Sequence, residues 1–183
     1  MSDLTLAVVG CGSAKRDAPT AVRDLYTSNY FALKREYAEH FADRLIVLSA
    51  EHDLIWGARE VAAYDTTLSD VDRQAFVERV SWSLRSPFTD HTHADEVLLL
   101  AGREYAQVYR EAVAHENEIA FEPLDMDVID VFAEADCGGI GAQMAWLREA
   151  IDSDLRQPET DGDTQAGLGR YVDRTPLAEV TGE

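Results

Sequence analysis

The chain has 183 residues, of which 46% are hydrophobic, so it can form one domain with its own core, and a wholly disordered chain is excluded. Its formal net charge is −19, from 35 acidic and 16 basic residues. A surface this acidic repels phosphate at low salt, which argues against a protein that coats nucleic acid regardless of sequence. A local basic site is still compatible with this composition.

Only two of the basic residues, Lys15 and Lys34, are lysines. An acidic, lysine-poor surface is typical of halophilic proteins, because molar salt shortens the Debye length to about 3 Å and screens the repulsion between like charges. The composition therefore predicts a protein adapted to high salt.

Nothing in the sequence predicts a membrane span or a secretory signal. No apolar run approaches the ~20 residues that a span needs, and Met1 to Leu6 lacks the basic and apolar regions of a signal peptide. We therefore expect a cytoplasmic location and no membrane contact. The two cysteines, Cys11 and Cys137, form no CxxC pair, and a structural disulfide is not expected in that compartment.

Short apolar runs along the chain predict strands. The strongest are Leu4–Val9, Arg44–Ser49 and Glu96–Ala101, and they lack the polar alternation of a strand that faces water on one side. A weaker fourth run, Glu118–Glu122, stops at Pro123. Such runs suit a parallel sheet that is covered on both faces.

Segments with helical periodicity lie after these runs. They are Tyr30–Phe41 with Ser28 or Asn29 as N-cap, Val71–Leu84 with Ser69 or Asp70 before it, Tyr105–Ala112, and Gln143–Ile151 opened by Gly138–Gly141. The order βαβαβαβα predicts an α/β fold. We expect a three-layer sandwich with a mainly parallel sheet of about four to five strands, helices on both faces and right-handed crossovers.

The composition also suggests where the domain ends. Residues 1–151 are predicted to form a single α/β domain, and residues 152–183 a polar, acidic tail that is flexible or lightly docked. Within the domain, we expect an irregular loop from Arg16 to Thr27 and a solvated acidic loop at Asp125–Asp130.

Chemically active side chains follow the three strongest predicted strands. These segments are Gly10–Lys15, Ser49–Leu54 and Ala101–Glu104. Because ligands bind beyond the carboxyl ends of the strands in an open parallel sheet, we expect a thiol, an ammonium, two hydroxyls, an imidazole and a guanidinium to share one edge.

The first of these segments is similar to a phosphate cradle. Gly10 and Gly12 let backbone N–H groups approach an anion, and Ser13 adds a hydroxyl. The segment matches neither GxxxxGK[ST] nor GxGxxG, because Lys15 occupies the place of the third glycine.

Cys11 is open to two interpretations. A cysteine at a strand end is commonly a small buried hydrophobic residue. Alternatively it is a reactive thiol, because it lies between two glycines and Lys15 follows four residues later, and a nearby ammonium favours the thiolate.

The histidines are also open to two interpretations each. His52 is either a structural histidine bonded to a carboxylate or the backbone, or a general acid/base beside the site. The sequence His91-Thr92-His93 has no second ligand cluster at metal spacing, so we expect a solvated loop and no metal. No Ser-His-Asp triad can be assigned, so acyl hydrolysis is not supported.

Several short motifs follow one another in order along the chain. They are Gly10-Cys11-x3-Lys15, Asp24–Thr27 with Phe31, Leu48–His52, Tyr64–Leu68, Ala101–Tyr105, Pro123-Leu124, Gly139–Gly141 and Trp146-Leu147. Over roughly residues 4–151, this set is similar to an uncharacterised domain family of prokaryotes and their viruses.

That family resembles two better-known groups. In the YaaA-type peroxide-stress proteins, a strand-end serine and a following tyrosine look like Ser49 and Tyr64, and this resemblance implies DNA binding and protection from oxidative damage. In the catalytic domain of archaeosine synthase, a Cys-x3-Lys signature similar to Cys11 and Lys15 lies in the site that modifies a 7-deazaguanine in transfer RNA.

The chain departs from these patterns in two places. Arg16-Asp17 stands where the archaeosine synthase signature continues with Pro-Tyr, and Asp53 stands where the family usually has glycine after the histidine. The second change either alters the backbone of the loop or moves a charge into the site.

The first functional hypothesis is an enzyme, a transferase or lyase, that modifies a nucleobase, nucleotide or nucleic acid without a cofactor. In it, Cys11 adds to an electrophilic carbon and Lys15 stabilises the thiolate and the developing anion. Ser49 and His52 orient the base or shuttle a proton, and Arg103 meets a phosphate. The residues expected to bind substrate are Gly10, Gly12, Ser13, Tyr26, Tyr64, Gly102 and Arg103.

The alternative hypothesis is a non-enzymatic protein that binds DNA or a nucleotide in a stress response. Binding DNA requires a contiguous basic patch, for example Arg16, Arg23, Arg35 and Arg103 on one face. A protein that binds a small nucleotide without chemistry is a third possibility.

Overall fold

A computed structural model describes residues 3–156 of the chain and confirms the α/β class. The strands are β1 Thr5–Gly10, β2 Thr20–Ala21, β3 Arg44–Ser49, β4 Asp53–Trp56, β5 Glu60–Val61, β6 Glu96–Leu100 and β7 Asp127–Asp130. The helices are α1 Val22–Leu25, α2 Asn29–Phe41, α3 Arg73–Leu84, α4 Arg103–Ile119, α5 Val131–Glu134 and α6 Ile140–Asp152, with 3₁₀ turns at Leu68–Asp70 and His91–His93.

The central sheet has five strands in the order β4-β3-β1-β6-β7. Strand β1 pairs in parallel with β3 and β6, so that Val8 lies between Ile46 and Leu99, and β7 continues the parallel set. Strand β4 is antiparallel to β3 at the edge. All six residues of β1 are buried, as expected for the middle of a sheet covered on both faces.

Alternate side chains of β1 enter two different cores. Leu6 and Val8 pack with α3 and α4 on one face, whereas Ala7 and Val9 pack with α2 and α6 on the other. The chain leaves β1 through α2 on one face to reach β3, and leaves β6 through α4 on the opposite face to reach β7. The carboxyl ends of β1 and β6 therefore form the topological switch point of the sheet.

The predicted fourth strand was wrong. Its first residues belong to α4, which continues to Ile119, and Phe121 is fully exposed. The fourth parallel strand of the sheet is instead β7, which lies within the segment predicted to be a solvated acidic loop. Ile129 is buried in the core, and Asp130 is neutralised by Arg110 at 2.6 Å, so the carboxylate does not oppose pairing with β6.

The expected irregular loop from Arg16 to Thr27 contains two short elements. Strand β2 pairs antiparallel with β5, and α1 follows it directly. The cap of α2 is Ser28, as predicted, with its Oγ accepting from the N–H of Phe31. The predicted cap of α3 was wrong, because Asp72 accepts from the N–H of Ala75 at 2.8 Å.

The segment His91-Thr92-His93 is not the solvated loop that we expected. It forms a 3₁₀ turn in which His91 is only 1% exposed, and the His91 ring lies 5.9 Å from the ring of Tyr109. Over residues 3–156, the structure contains no group of three or more His, Cys, Asp or Glu side chains that could hold a metal ion.

The first residues of the predicted tail are attached to the domain. Asp152 ends α6, Leu155 packs against the core beneath α2 and α6, and Arg156 forms an ion pair with Glu96 of β6. The rest of the predicted tail, residues 157–183, lies outside the described residues. No helix within residues 3–156 is long and apolar enough to cross a membrane.

Candidate active site

The switch point places Cys11 between the ends of β3 and β6. A Cβ on Gly10 would lie 3.1 Å from the Cβ and 3.2 Å from the Cα of Ala101, so glycine permits the close approach of β1 to the end of β6. The N–H of Cys11 donates to the carbonyl of Leu48 on β3 at 3.0 Å. The backbone of Cys11 is thus anchored at the switch point.

Tyr105 joins the ends of three strands. It lies in the first turn of α4, which follows β6. Its Oη accepts a hydrogen bond at 3.5 Å from the Sγ–H of Cys11, the residue that follows β1. The backbone of Ala50, after β3, hydrogen-bonds the same phenol. The expected convergence of the strand ends therefore occurs around Tyr105, which the sequence analysis did not select as a site residue.

Two further tyrosines lie beside the thiol. The hydroxyls of Tyr26 and Tyr64 are hydrogen-bonded to each other. Besides the larger effect of burial, the Ser49 hydroxyl lowers the pKa of Tyr64 and the Cys11 thiol raises it. Tyr26 is buried, and a Cβ on Gly12 would lie 3.4 Å from the Cβ of Tyr26. The glycine loop is therefore packed directly against the tyrosine pair.

The three phenols remain protonated at neutral pH. Burial raises the pKa of Tyr64 to about 12. Burial also raises the pKa values of Tyr26 and Tyr105, and the neighbouring Cys11 raises both further. Neutral phenols can donate hydrogen bonds to a thiolate or to a substrate oxygen.

Lys15 is the last residue of the glycine loop, Gly10–Lys15, and its ammonium lies over the rings of Tyr26 and Tyr64. Its Nζ donates to the carbonyl of Ser13 at 3.2 Å and lies 4.4 Å from the ring centroid of Tyr64. Its backbone forms an antiparallel bridge with Tyr26. The ammonium is therefore held over the face of Tyr64, where cation–π attraction stabilises it.

Lys34, on α2, is the second ammonium at the site, and the sequence analysis did not identify it. Only 2% of Lys34 is exposed, and its Nζ donates to the carbonyl of Gly10 at 2.7 Å. Burial lowers the pKa of Lys34 to about 8, and the neighbouring Cys11 opposes this shift. The sequence did carry a signal, because Lys34 follows Tyr30 by four residues and precedes Tyr37 by three, on the apolar stripe of α2.

Ser49 and His52 shape the turn after β3. Ser49 is buried, and its Oγ accepts from the N–H groups of Glu51 at 3.2 Å and His52 at 3.3 Å, so it holds this turn in place. The His52 ring packs edge-on against Tyr64, with 5.0 Å between centroids. Burial lowers the pKa of His52, which favours the neutral imidazole, and its Nε2 is buried without a hydrogen-bond partner in the described part of the chain.

Asp53 occupies a backbone conformation that suits glycine. Its φ is +58°, in the left-handed region, where aspartate is one of the more tolerant residues. Its carboxylate pairs with Arg79 of α3 at 3.0 Å, and this contact opposes the effect of burial, which raises the pKa of Asp53. The backbone of the turn is thus compatible with aspartate, and the charge is paired with α3.

A cavity of about 780 Å³ lies beyond the ends of β6 and β7. Gly102 and Arg103 line it at the start of α4, and Tyr30 and Gln143, which are hydrogen-bonded to each other, line it from α2 and α6. Arg103 is exposed and forms no ion pair with any residue between 3 and 156. Arg110, Asp130 and Asp136 also line the cavity, so its lining carries both signs of charge.

The other arginines of the expected basic patch interact with one acidic residue. Arg35 and Arg23 both pair with the carboxylate of Asp24, and the Nε of Arg16 donates to the Asp24 carbonyl at 2.8 Å. Much of the positive charge on this face is therefore neutralised within the protein.

Comparison with known proteins identifies a family but no function. The chain belongs to a family of unknown function (DUF6884), which it matches over residues 6–149. No curated protein and no solved structure matches the chain. Membership of an uncharacterised family was expected from the motifs, and any assignment of activity must rest on the site itself.

Proposed function

We propose that this protein is an enzyme that modifies a nucleobase, with Cys11 as its nucleophile. The observation that carries the proposal is the 3.5 Å contact between the Cys11 Sγ and the Tyr105 Oη at the switch point of the sheet. This contact puts a partly exposed thiol where open α/β sheets bind ligands, among neutral phenols and two lysines.

The proposed chemical step is addition of the Cys11 thiolate to an electrophilic carbon of the base. A bond forms between sulfur and carbon, a π bond of the base opens, and its electrons go to the ring or substituent nitrogen, which takes up the proton that the thiol has lost. Tyr105 first accepts the thiol hydrogen bond, and after ionisation its hydroxyl can rotate and donate to the sulfur. The preorganised phenols stabilise the charge that develops during addition.

The remaining site residues bind and orient the base. Lys15 over the Tyr64 ring supplies positive charge for the developing anion, and His52 beside Tyr64 is a neutral group able to accept a proton. Ser49 acts through the turn that it holds. The exposed Arg103 guanidinium at the start of α4 is available to bind a substrate phosphate. The Cys-x3-Lys resemblance to archaeosine synthase favours a 7-deazaguanine-type base.

The charge distribution favours an enzyme with a small contact surface over a protein that binds DNA along its backbone. Affinity for duplex phosphates requires several free cations on one face. Arg23 and Arg35 share Asp24, as described above, and the whole chain carries a net charge of −19. A nucleobase held at Cys11 needs no such surface.

The proposal is tested by covalent capture. Wild-type protein is incubated with a panel of nucleobases, including a 7-deazaguanine that carries a nitrile, and the intact protein is weighed by mass spectrometry. Addition to a nitrile retains every atom, so the protein should gain the full mass of the base. The same instrument can identify bases that co-purify with the protein at high salt.

Two variants provide the controls. Cys11→Ser should abolish the adduct, whereas Cys137→Ser should retain it. Absence of any adduct or co-purified base in the wild type, or an adduct that persists in Cys11→Ser, would show that Cys11 is not the nucleophile. Binding of duplex DNA with steep salt dependence would instead support the non-enzymatic alternative.

A further inference from the structure

We infer that Lys34, and not Lys15, is the positioning residue that promotes ionisation of the Cys11 thiol. This inference rests on the proposed function, because it assigns the group that regulates the reactivity of the proposed nucleophile. It follows from the hydrogen bonds of one peptide group and from a buried ammonium that forms no ion pair with a carboxylate in the described part of the chain.

Lys34 holds the peptide group that joins Gly10 to Cys11. The carbonyl of this peptide accepts from Lys34 Nζ at 2.7 Å, and its N–H donates to the carbonyl of Leu48 at 3.0 Å. Both polar atoms of the peptide are therefore fixed, one by α2 and one by β3. Lys34 thus restrains the backbone from which the reactive side chain projects.

The Lys34 ammonium lies between aromatic rings and the peptide group that joins Gly10 to Cys11. Lys34 is buried, and no carboxylate within residues 3–156 forms an ion pair with it. Instead its Nζ lies 4.5 Å from the ring centroid of Tyr30 and 5.5 Å from that of Phe31. An ammonium removed from water without a counter-ion is costly, so an anion nearby stabilises it. Cys11 directly follows the carbonyl that Lys34 binds, and it opposes the effect of burial by favouring the charged amine.

Lys15 has a different environment. It is half-buried, and its Nζ contacts the Ser13 carbonyl and the face of Tyr64. This position suits contact with substrate. The two lysines of the chain therefore have separable roles, and each is the matched control for the other.

The first experiment measures alkylation of Cys11 by iodoacetamide as a function of pH. All variants carry Cys137→Ser, so that Cys11 is the one thiol present, and the protein is full length. Lys34→Gln should move the midpoint of the rate profile upward by about one pH unit, because a nearby cation commonly lowers the pKa of a thiol by that amount or more. Lys34→Arg should recover part of the shift, and Lys15→Gln should shift the midpoint less than Lys34→Gln does.

The expected change in rate at pH 7 is smaller than the change in thiolate fraction. A one-unit shift reduces the thiolate about tenfold, but the more basic thiolate is about threefold more nucleophilic. Lys34→Gln should therefore react about threefold more slowly than the parent. Equal profiles for Lys34→Gln and the parent, or a larger shift in Lys15→Gln, would overturn the inference.

A second experiment does not require a substitution at Lys34. Since the chain has only two lysines, labelling lysine with ¹³C at Cε gives two resolvable side-chain NMR signals. Lys34 should titrate near pH 8 in the wild type and at lower pH in Cys11→Ser, because the thiolate no longer favours the ammonium. An unchanged Lys34 titration in Cys11→Ser would refute the coupling. Both experiments omit the nucleobase, so their outcome is independent of the capture test.

Discussion

Acidification from pH 7 to pH 4 should destabilise the fold through His91. The imidazole is buried next to Tyr109 of α4, and a backbone hydrogen bond with Thr89 only partly opposes the effect of burial on its pKa. Burial lowers the pKa of His91 to about 4. The folded protein therefore keeps His91 neutral at a pH where the unfolded chain protonates it.

The size and sign of the effect follow from the two pKa values. The ordinary value for histidine is 6.5, so the unfolded chain binds more protons than the folded chain between pH 6.5 and about 4. The contribution of neutral His91 to the free energy of unfolding is fully present above pH 6.5, decreases as the pH falls from 6.5 to about 4, and levels off below that. Each pKa unit corresponds to about 1.4 kcal/mol, so the loss from His91 is about 3 kcal/mol.

The assay compares denaturant unfolding of wild type and His91→Phe from pH 4 to 7.5 at one KCl concentration. Phenylalanine keeps a ring beside Tyr109 and cannot titrate, so the difference in unfolding free energy isolates the His91 contribution. That difference should change by about 3 kcal/mol across the range in favour of the variant at low pH. The same comparison with exposed His93→Gln should show no such change. A wild-type-minus-His91→Phe difference that is constant with pH would refute the reasoning.

Three further predictions concern the site and the surface. Gly10→Ala should lower the free energy of unfolding by about 1–3 kcal/mol, because the new Cβ would press on Ala101. Gly102 has open space around it, so Gly102→Ala should change the free energy of unfolding by less than about 0.5 kcal/mol in the same denaturation assay. Ser49→Ala should cost about 1–3 kcal/mol by denaturation, since it leaves the N–H of His52 and that of the preceding residue without their acceptor, and Ser49→Thr should recover part of the loss. The melting temperature should rise between 0.1 and 2 M KCl, because salt screens the net charge of −19, and a flat or falling curve by calorimetry would contradict the expected adaptation to salt.

The strands that the sequence predicted correctly are those whose side chains are buried on both faces. Continuous apolar runs mark β1, β3 and β6, and no tertiary information is needed to recognise them. Strand β7 alternates acidic and apolar residues, and its last acidic residue, Asp130, pairs with Arg110 of α4, 20 positions away in the sequence. Strand β4 is similar in this respect, because Arg79 pairs with Asp53 at its start. Local pattern alone cannot show that a charge is neutralised by another element.

The candidate site shows the same limit. Strand order and the rule for parallel sheets were enough to expect Cys11 and the segments after β3 and β6 at one edge. Tyr105 and Lys34 reach that edge from helices, and their contacts to Cys11 and Gly10 join residues 94 and 24 positions apart. Packing of α2 against the sheet determines which of its faces contacts the loop that follows β1. The lysine on the apolar stripe of α2 was the available signal, since a charged residue at a core position requires a partner.

The distribution of the two kinds of basic residue supports a chemical role for the lysines. Arginine pairs with surface carboxylates through Arg35, Arg73 and Arg110, and it is always charged. Both lysines instead lie at the candidate site, Lys34 at the Gly10 carbonyl and Lys15 over the Tyr64 ring. Lysine differs from arginine in that burial can bring its pKa near neutrality, so that it can gain or lose a proton. In this chain arginine forms the surface ion pairs, whereas lysine occurs only at this edge of the sheet, where burial lowers the pKa of Lys34 to about 8.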